Sequence, residues 1–208
     1  MFKKLIFILF FMVLLPSISH ADAYSRKTSS DMKSTQVKIL TPWSYPGNTI
    51  SSEIKITQKI KGICTSASLV NPRPDAWRCN IENETLDPCF SNPANNAVAC
   101  IKSPWDKTAV LITLMLPLPT DKSNSENYLE QTPWGIELEN NLRCVSNYGK
   151  KAPTLAGMEI KSICFNQSSE ITSVKFLDSF QQDTPTWQVF IKQEDLFLEQ
   201  MPIKTAWY

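Results

Sequence analysis

The chain has 208 residues, a formal net charge of +1 and only one histidine. Five glycines against fourteen prolines exclude collagen-like and flexible glycine-rich sequences. A near-neutral chain also lacks the basic field that draws proteins to nucleic acid, so we expect no nucleic-acid partner.

Residues 1–21 have the pattern of a secretory signal peptide. Lys3 and Lys4 precede an apolar run at residues 5–15, and Ser19 and Ala21 match the small residues before a cleavage site. The run is too short to cross a bilayer as a helix, which takes ~20 residues, and no later apolar stretch is long enough. We therefore predict export to the periplasm or the extracellular medium, without stable membrane insertion.

A polar segment at residues 22–35 follows, and we expect it to be a flexible lead. Short apolar or alternating segments then predict strands at residues 36–40, 53–61, 98–101, 108–116, 171–177, 186–191 and 203–208. In the second of these, Ile54, Ile56 and Ile60 are expected on one face. Residues 108–116 form an apolar run that contains only two threonines and predict a buried central strand, whereas the mixed spacing of 171–177 also fits a helix.

Three segments share a tryptophan, an aliphatic residue four positions later and then a polar turn. The pairs are Trp77 and Ile81, Trp134 and Leu138, and Trp187 and Ile191, with turns at residues 82–84, 139–141 and 193–195. Positions four apart share one face of a strand, so each segment predicts a hairpin. A coincidental match to a permissive pattern is the alternative.

These segments predict a mainly β protein. We expect a disulfide-tied antiparallel sandwich or barrel over residues 36–208. A division into two small β lobes near the polar stretch at residues 119–133 is the alternative.

The cysteines predict a disulfide framework, because an even number in an exported chain normally pairs. All six follow the signal segment: Cys64, Cys79, Cys89, Cys100, Cys144 and Cys164. Among the many pairings that six cysteines allow, we expect sequential ones, since the first four lie close together and a polar stretch separates the last two. Each loop of this size adds ~3 kcal/mol of stability. No C-x-x-C motif occurs, so we expect no metal site.

The single histidine, His20, lies inside the predicted signal segment. Cleavage of the signal peptide would leave the chain without histidine, which excludes Ser-His-Asp and Cys-His catalysis and histidine-based zinc and iron sites. No glycine-rich nucleotide loop is present either, so we expect no cofactor. The remaining enzyme chemistry is carboxylate-based or lysine-based, and the carboxylate pairs are Glu82 with Glu84 and Glu137 with Glu139.

Two sets of residues are candidates for ligand binding. The first is a dense polar cluster: Arg73, Asp75, Arg78 and Asp87. It fits a clamp for a carboxylate or sugar ligand, or a polar tie between disulfide-linked segments. The second set is Trp43 and Trp105, which lie in proline-containing loops where an indole ring is available for stacking.

Several motifs of the chain occur in a fixed order. They read NPRPDAWRC at residues 71–79, DPCF at 87–90, then Cys100, a Pro-Trp at 133–134, an Arg-Cys at 143–144 and a Thr-Ala-Trp at 205–207. Over residues 62–207 this order resembles a family of uncharacterised secreted bacterial proteins. The resemblance implies an exported, disulfide-bonded domain and carries no activity. That family often has Gly-Asn after the strand where this chain has Glu82-Asn83, which implies a different turn type.

We therefore expect a non-enzymatic exported protein that binds a protein or glycan through loops on a β scaffold. One alternative is a carboxylate-dependent secreted enzyme that acts on glycans. Another is an inhibitor of secreted hydrolases that presents residues 71–77 as a projecting loop.

Overall fold

The computed structural model describes residues 33–44, 49–82, 84–92, 94, 96–120, 127–146, 154–155, 158–166, 168, 171–177, 180–192 and 199–208. The predicted signal peptide and most of the polar lead lie outside these residues. The segment Lys33–Tyr208 forms one compact unit. Its described part contains β-strands and one 3-10 turn at Tyr128–Glu130, and no α-helix, so the prediction of a mainly β protein is confirmed.

The strands, in chain order, are β1 (Gln36–Lys38), β2 (Lys55–Ala67), β3 (Ala76–Ile81), β4 (Glu84–Ser91), β5 (Ala97–Cys100), β6 (Thr108–Leu114), β7 (Gly135–Leu138), β8 (Arg143–Ser146), β9 (Thr154–Leu155), β10 (Met158–Phe165), β11 (Ile171–Leu177), β12 (Gln188–Lys192) and β13 (Glu199–Trp207). Strands β2 to β6 form a closed barrel. Each strand is antiparallel to the next, and β6 closes the barrel by pairing in parallel with β2.

The remaining strands form a second sheet in the order β1-β13-β12-β11-β10-β8-β7, with β9 added beside β10. Strand β13 also pairs with β7, so the sheet curves back on itself. The N-terminal β1 runs parallel to β13, so the start of the described chain belongs to this sheet and not to the barrel.

Strand β2 contains a bulge that changes which face its residues present. Ile56 pairs with Ala109 and Gln58 pairs with Val110, so Thr57 is an extra residue in β2. Such an insertion reverses the in–out alternation beyond it. The predicted single face of isoleucines is therefore wrong: Ile54 and Ile56 pack against the cluster between barrel and sheet, whereas Ile60 packs inside the barrel.

Three apolar clusters form the core. The barrel interior contains Trp77, Val98 and Ile112 with the four barrel cysteines, and the second sheet buries Leu138, Ile191 and Ile203 with others on one side. The third cluster joins the two and consists of Val70, Ala76, Phe90, Ile101, Ala109 and Trp134. The Trp134 ring meets the Phe90 ring edge-on at 5.8 Å between centroids, so the second sheet packs directly on the barrel.

The three predicted disulfides are the three in the structure: Cys64–Cys79, Cys89–Cys100 and Cys144–Cys164. Each joins residues that lie directly opposite each other on neighbouring antiparallel strands. Three disulfides and no free cysteine indicate an oxidising, exported compartment. A helix long and apolar enough to span a membrane does not occur within the described residues.

Two predicted hairpins are present as β3–β4 and β7–β8. Their turns contain residues in the left-handed region, Glu82 with φ 43° and Asn141 with φ 64°. The third predicted pair is β12–β13, but its turn at residues 193–195 lies outside the described residues. Residues 171–177 form strand β11 and not a helix.

Candidate functional site

Arg73 joins three parts of the molecule. Its guanidinium donates to both carboxylate oxygens of Asp75, at 2.8 and 2.6 Å, and to the carbonyl of Leu40. The same group lies 4.9 Å from the Phe90 ring centroid and within 3.5 Å of the Tyr208 carbonyl. With the residue only 7% exposed, this arginine ties the residues that follow β1 and β13 to the barrel and leaves little surface for a ligand.

Asp87 holds the turn after β2. Its carboxylate accepts hydrogen bonds from the Ser68 hydroxyl and, at 3.0 Å, from the Leu69 N–H. Burial raises the pKa of Asp87, against the Ser68 and Leu69 hydrogen bonds and the charge of Arg78, which lower it. The polar cluster predicted from sequence therefore divides into two structural ties, Arg73 with Asp75 and Asp87 with Ser68, and not into one clamp.

The segment at residues 71–77 does not project from the molecule. Asn71 is fully buried, and Arg73 and Trp77 are 7% and 2% exposed. An inhibitory loop must enter the cleft of its target enzyme, and a segment that buries Asn71, Arg73 and Trp77 in its own fold cannot do so. The structure therefore contradicts the expectation that these residues form a projecting loop.

Of the two tryptophans proposed for stacking on a ligand, Trp43 makes contacts within the fold instead. It is half-buried, and its indole N–H donates to the Phe90 carbonyl at 3.0 Å. Its backbone forms an isolated bridge with Ile50. The Trp43 side chain therefore ties its loop to β4.

The carboxylate pairs lie in different surroundings. Glu82 and Glu84 are exposed and line an open depression of about 490 Å³ together with Lys61. Glu137 forms an ion pair with Lys204 at 3.1 Å, which occupies its carboxylate, and Glu139 is exposed. Glycoside hydrolysis needs an acid with a raised pKa facing a second carboxylate, and Asp87, whose pKa is raised, faces a serine and a backbone amide.

Trp105 lines a cleft between the barrel and the second sheet. The cleft has a volume of about 320 Å³ and is bounded by the β5–β6 loop on one side, through Lys102, Trp105 and Asp106, and by Arg143 of β8 and Phe165 of β10 on the other. Both sheets are needed to form it. Pockets with a few polar groups among apolar walls are the usual form of small-ligand sites, at ~300–1,000 Å³.

The β5–β6 loop, residues 101–107 and here called the Trp105 loop, packs closely against Gly135, which has no side chain. A Cβ at this residue would lie 2.6 Å from Pro104 Cγ and 3.4 Å from the Trp105 ring. The loop therefore rests directly on the backbone at the start of β7. Ile101, at the loop's beginning, is buried in the cluster that also contains Trp134, next to Gly135.

Arg143 stacks on Trp105, with its guanidinium carbon 5.5 Å from the ring centroid. Its neighbour across the strand pair, Glu137, binds Lys204 instead. Within the described part of the chain, Arg143 forms no ion pair. A half-buried guanidinium without a carboxylate partner is able to take an anion.

The Trp105 indole N–H is buried and finds no acceptor among the described residues. Leaving a buried donor unsatisfied costs ~1–3 kcal/mol, and such groups often occur at functional sites. The sequence indicated Trp105 through its loop position, but not Arg143, which it marked only as part of an Arg-Cys motif. The only signal for Phe165 was its place beside Cys164.

Three barrel sulfurs, those of Cys79, Cys89 and Cys100, lie within 4.8 Å of one another. All three are in disulfides, so their lone pairs are not those of the thiolates that bind metals. This group is a packed pair of disulfides in the barrel core. Comparison of the chain with protein-family models, with curated proteins and with solved structures gave no match.

Proposed function

We propose that this protein is an exported, non-enzymatic binding protein whose ligand occupies the Trp105 cleft. The observation that carries the proposal is the stacked pair of Trp105 and Arg143 on the cleft wall, in which the arginine has no described ion pair. A cation held against an aromatic ring is in place before a ligand arrives. Such preorganisation favours recognition, since little side-chain entropy is lost on binding.

The remaining groups of the cleft support recognition and not chemistry. Asp106 is the carboxylate among its lining residues, with Lys102 and Arg143 as the cations. Acid–base catalysis near neutral pH needs a group whose pKa is tuned to that range, and histidine is missing after the predicted signal segment. The cleft supplies charge, ring faces and hydrogen-bonding groups, which are the elements of a binding site.

The test is ligand-dependent fluorine NMR on disulfide-intact protein labelled with 5-fluorotryptophan. The Trp105 resonance is assigned with a Trp105→Phe variant, and the Trp43 resonance, assigned with Trp43→Phe, is the internal control. The probes are neutral and acidic sugars, short peptides and aromatic acids. We expect at least one probe to move the Trp105 resonance saturably without moving that of Trp43. If every probe leaves Trp105 unchanged, or moves Trp43 instead, the proposed site is wrong.

A further inference from the structure

The Trp105 cleft combines a positive charge with a hydrogen-bond acceptor. Arg143 lines one wall and Asp106 the other, and these two groups form no ion pair with each other. Within the described residues neither group has another charged partner. Opposite charges that line one cleft without pairing leave both groups able to contact a ligand.

The positive charge exceeds the negative charge in this cleft. Lys102 adds a second cation at the exposed edge, so the lining residues carry two positive groups against the single carboxylate of Asp106. The planar guanidinium of Arg143 matches a carboxylate in two parallel hydrogen bonds. The ligand is therefore expected to carry one negative charge.

The carboxylate of Asp106 narrows the ligand class further. An ionised carboxylate accepts hydrogen bonds but donates none, so it is suited to a ligand with hydroxyl groups. It also repels a second negative charge, which disfavours a dianion. Phe165, Val145 and the Trp105 ring supply apolar surface against which the C–H face of a sugar ring packs.

Resting on the proposed function, we propose that the cleft binds a uronic acid residue, the carboxylate-bearing sugar of acidic glycans. Arg143 binds the carboxylate, Asp106 accepts hydrogen bonds from the ring hydroxyls, and Lys102 adds positive charge at the edge of the cleft. The volume of about 320 Å³ is at the lower end of small-ligand sites, which suits a single sugar ring and not a long peptide.

The experiment titrates the labelled protein with D-glucuronate and with D-glucuronamide, its uncharged counterpart. We expect glucuronate to move the Trp105 resonance saturably and to bind about tenfold or more tightly than glucuronamide, because a charged bidentate contact is lost in the amide. Arg143→Gln should weaken glucuronate binding by about tenfold or more. Lys59→Gln removes one exposed charge from β2, outside the cleft, and should change affinity less than about threefold.

A third probe, sulfate, separates a sugar site from a general anion site. Asp106→Ala should weaken glucuronate binding and strengthen sulfate binding, since it removes an acceptor for hydroxyls and a repelling charge together. Arg143→Lys keeps the charge without the planar group, so a folded Arg143→Lys variant with affinity between those of wild type and Arg143→Gln supports the bidentate contact. Equal affinity of the wild-type protein for sulfate and glucuronate would overturn the sugar assignment.

Two further outcomes distinguish this inference from the proposed function. If glucuronamide binds as tightly as glucuronate, the carboxylate assignment is wrong although the cleft is a binding site. If glucuronate leaves Trp105 unchanged while another probe moves it, the ligand class is wrong and the proposed function stands. If no probe moves Trp105, both fail.

Discussion

The contact between Gly135 and Pro104 predicts that a single methyl group disturbs the joint between barrel and sheet. In Gly135→Ala the new Cβ would lie 2.6 Å from Pro104 Cγ and 3.1 Å from its Cδ. Carbon atoms attract each other best at ~3.5–4.0 Å, so one of the two segments must move. Overpacking of this kind costs ~1–3 kcal/mol, and the smaller entropy of an unfolded alanine returns ~0.4–1 kcal/mol.

The net loss for Gly135→Ala is therefore about 1–2 kcal/mol, or ~2–8 °C in melting temperature for a domain of this size. Pro104→Ala removes both clashing atoms and leaves the Trp105 ring at 3.4 Å as the nearest remaining contact. In the Pro104→Ala background we expect Gly135→Ala to leave the free energy of unfolding almost unchanged. The double-mutant cycle should give a coupling energy of about 1–2 kcal/mol, as for residues in direct contact.

The assay is urea unfolding of disulfide-intact protein followed by tryptophan emission, with equal m-values required for all variants. Gly62→Ala is the matched control, because its Cβ would meet Ile81 and Asn80 at 2.8 and 2.9 Å inside the barrel, away from Pro104. It should destabilise the protein without coupling to Pro104→Ala. If Gly135→Ala costs as much in the Pro104→Ala background as in the wild-type protein, the loop does not rest on β7 as described.

Three other perturbations test the structural ties. Ser68→Ala removes a hydroxyl that donates a hydrogen bond to Asp87 and accepts hydrogen bonds from two backbone N–H groups. We therefore expect the free energy of unfolding in urea to fall by ~2–3 kcal/mol. Ser66→Ala, at an exposed position, should change it by almost nothing. Arg73→Leu removes a buried guanidinium from its ion pair with the partly exposed Asp75 and should lower the unfolding free energy by ~2–4 kcal/mol. An equal cost for Arg78→Leu would contradict this. The raised pKa of Asp87 means that the folded state binds its proton more tightly than the unfolded state. The unfolding free energy of the wild type minus that of Asp87→Asn should therefore fall as the pH rises above 3.8. An increase in this difference with pH would refute the assignment.

The local elements of this fold were predictable because they depend on neighbouring residues. The alternation around Trp77 and Trp134 marked the first two hairpins, and the apolar run at 108–116 marked β6. Strand β10 was not predicted, since its register shifts between Ile160 and Ser162 and again between Ile163 and Phe165. Each shift moves the following residues to the opposite face, so no simple alternation remains in the sequence.

The pairings between strands that are distant in sequence have no such local sequence pattern. Nothing in the sequence around β1 indicates that it joins β13, or that β6 returns parallel to β2. These pairings depend on how the whole chain packs. The same holds for the cleft: Trp105 could be selected from its loop, but its partner Arg143 is brought to it only when the second sheet packs on the barrel.

The third disulfide has a place relative to the cleft that the barrel disulfides do not share. Cys144 and Cys164 lie opposite each other on β8 and β10, and the next pair in that register is Arg143 with Phe165. The bond therefore fixes the separation of the two strands immediately beside the cleft residues. The barrel disulfides stabilise the scaffold that carries the Trp105 loop. The wall formed by β8 and β10 is thus held covalently, which is the rigidity that the proposed binding site requires.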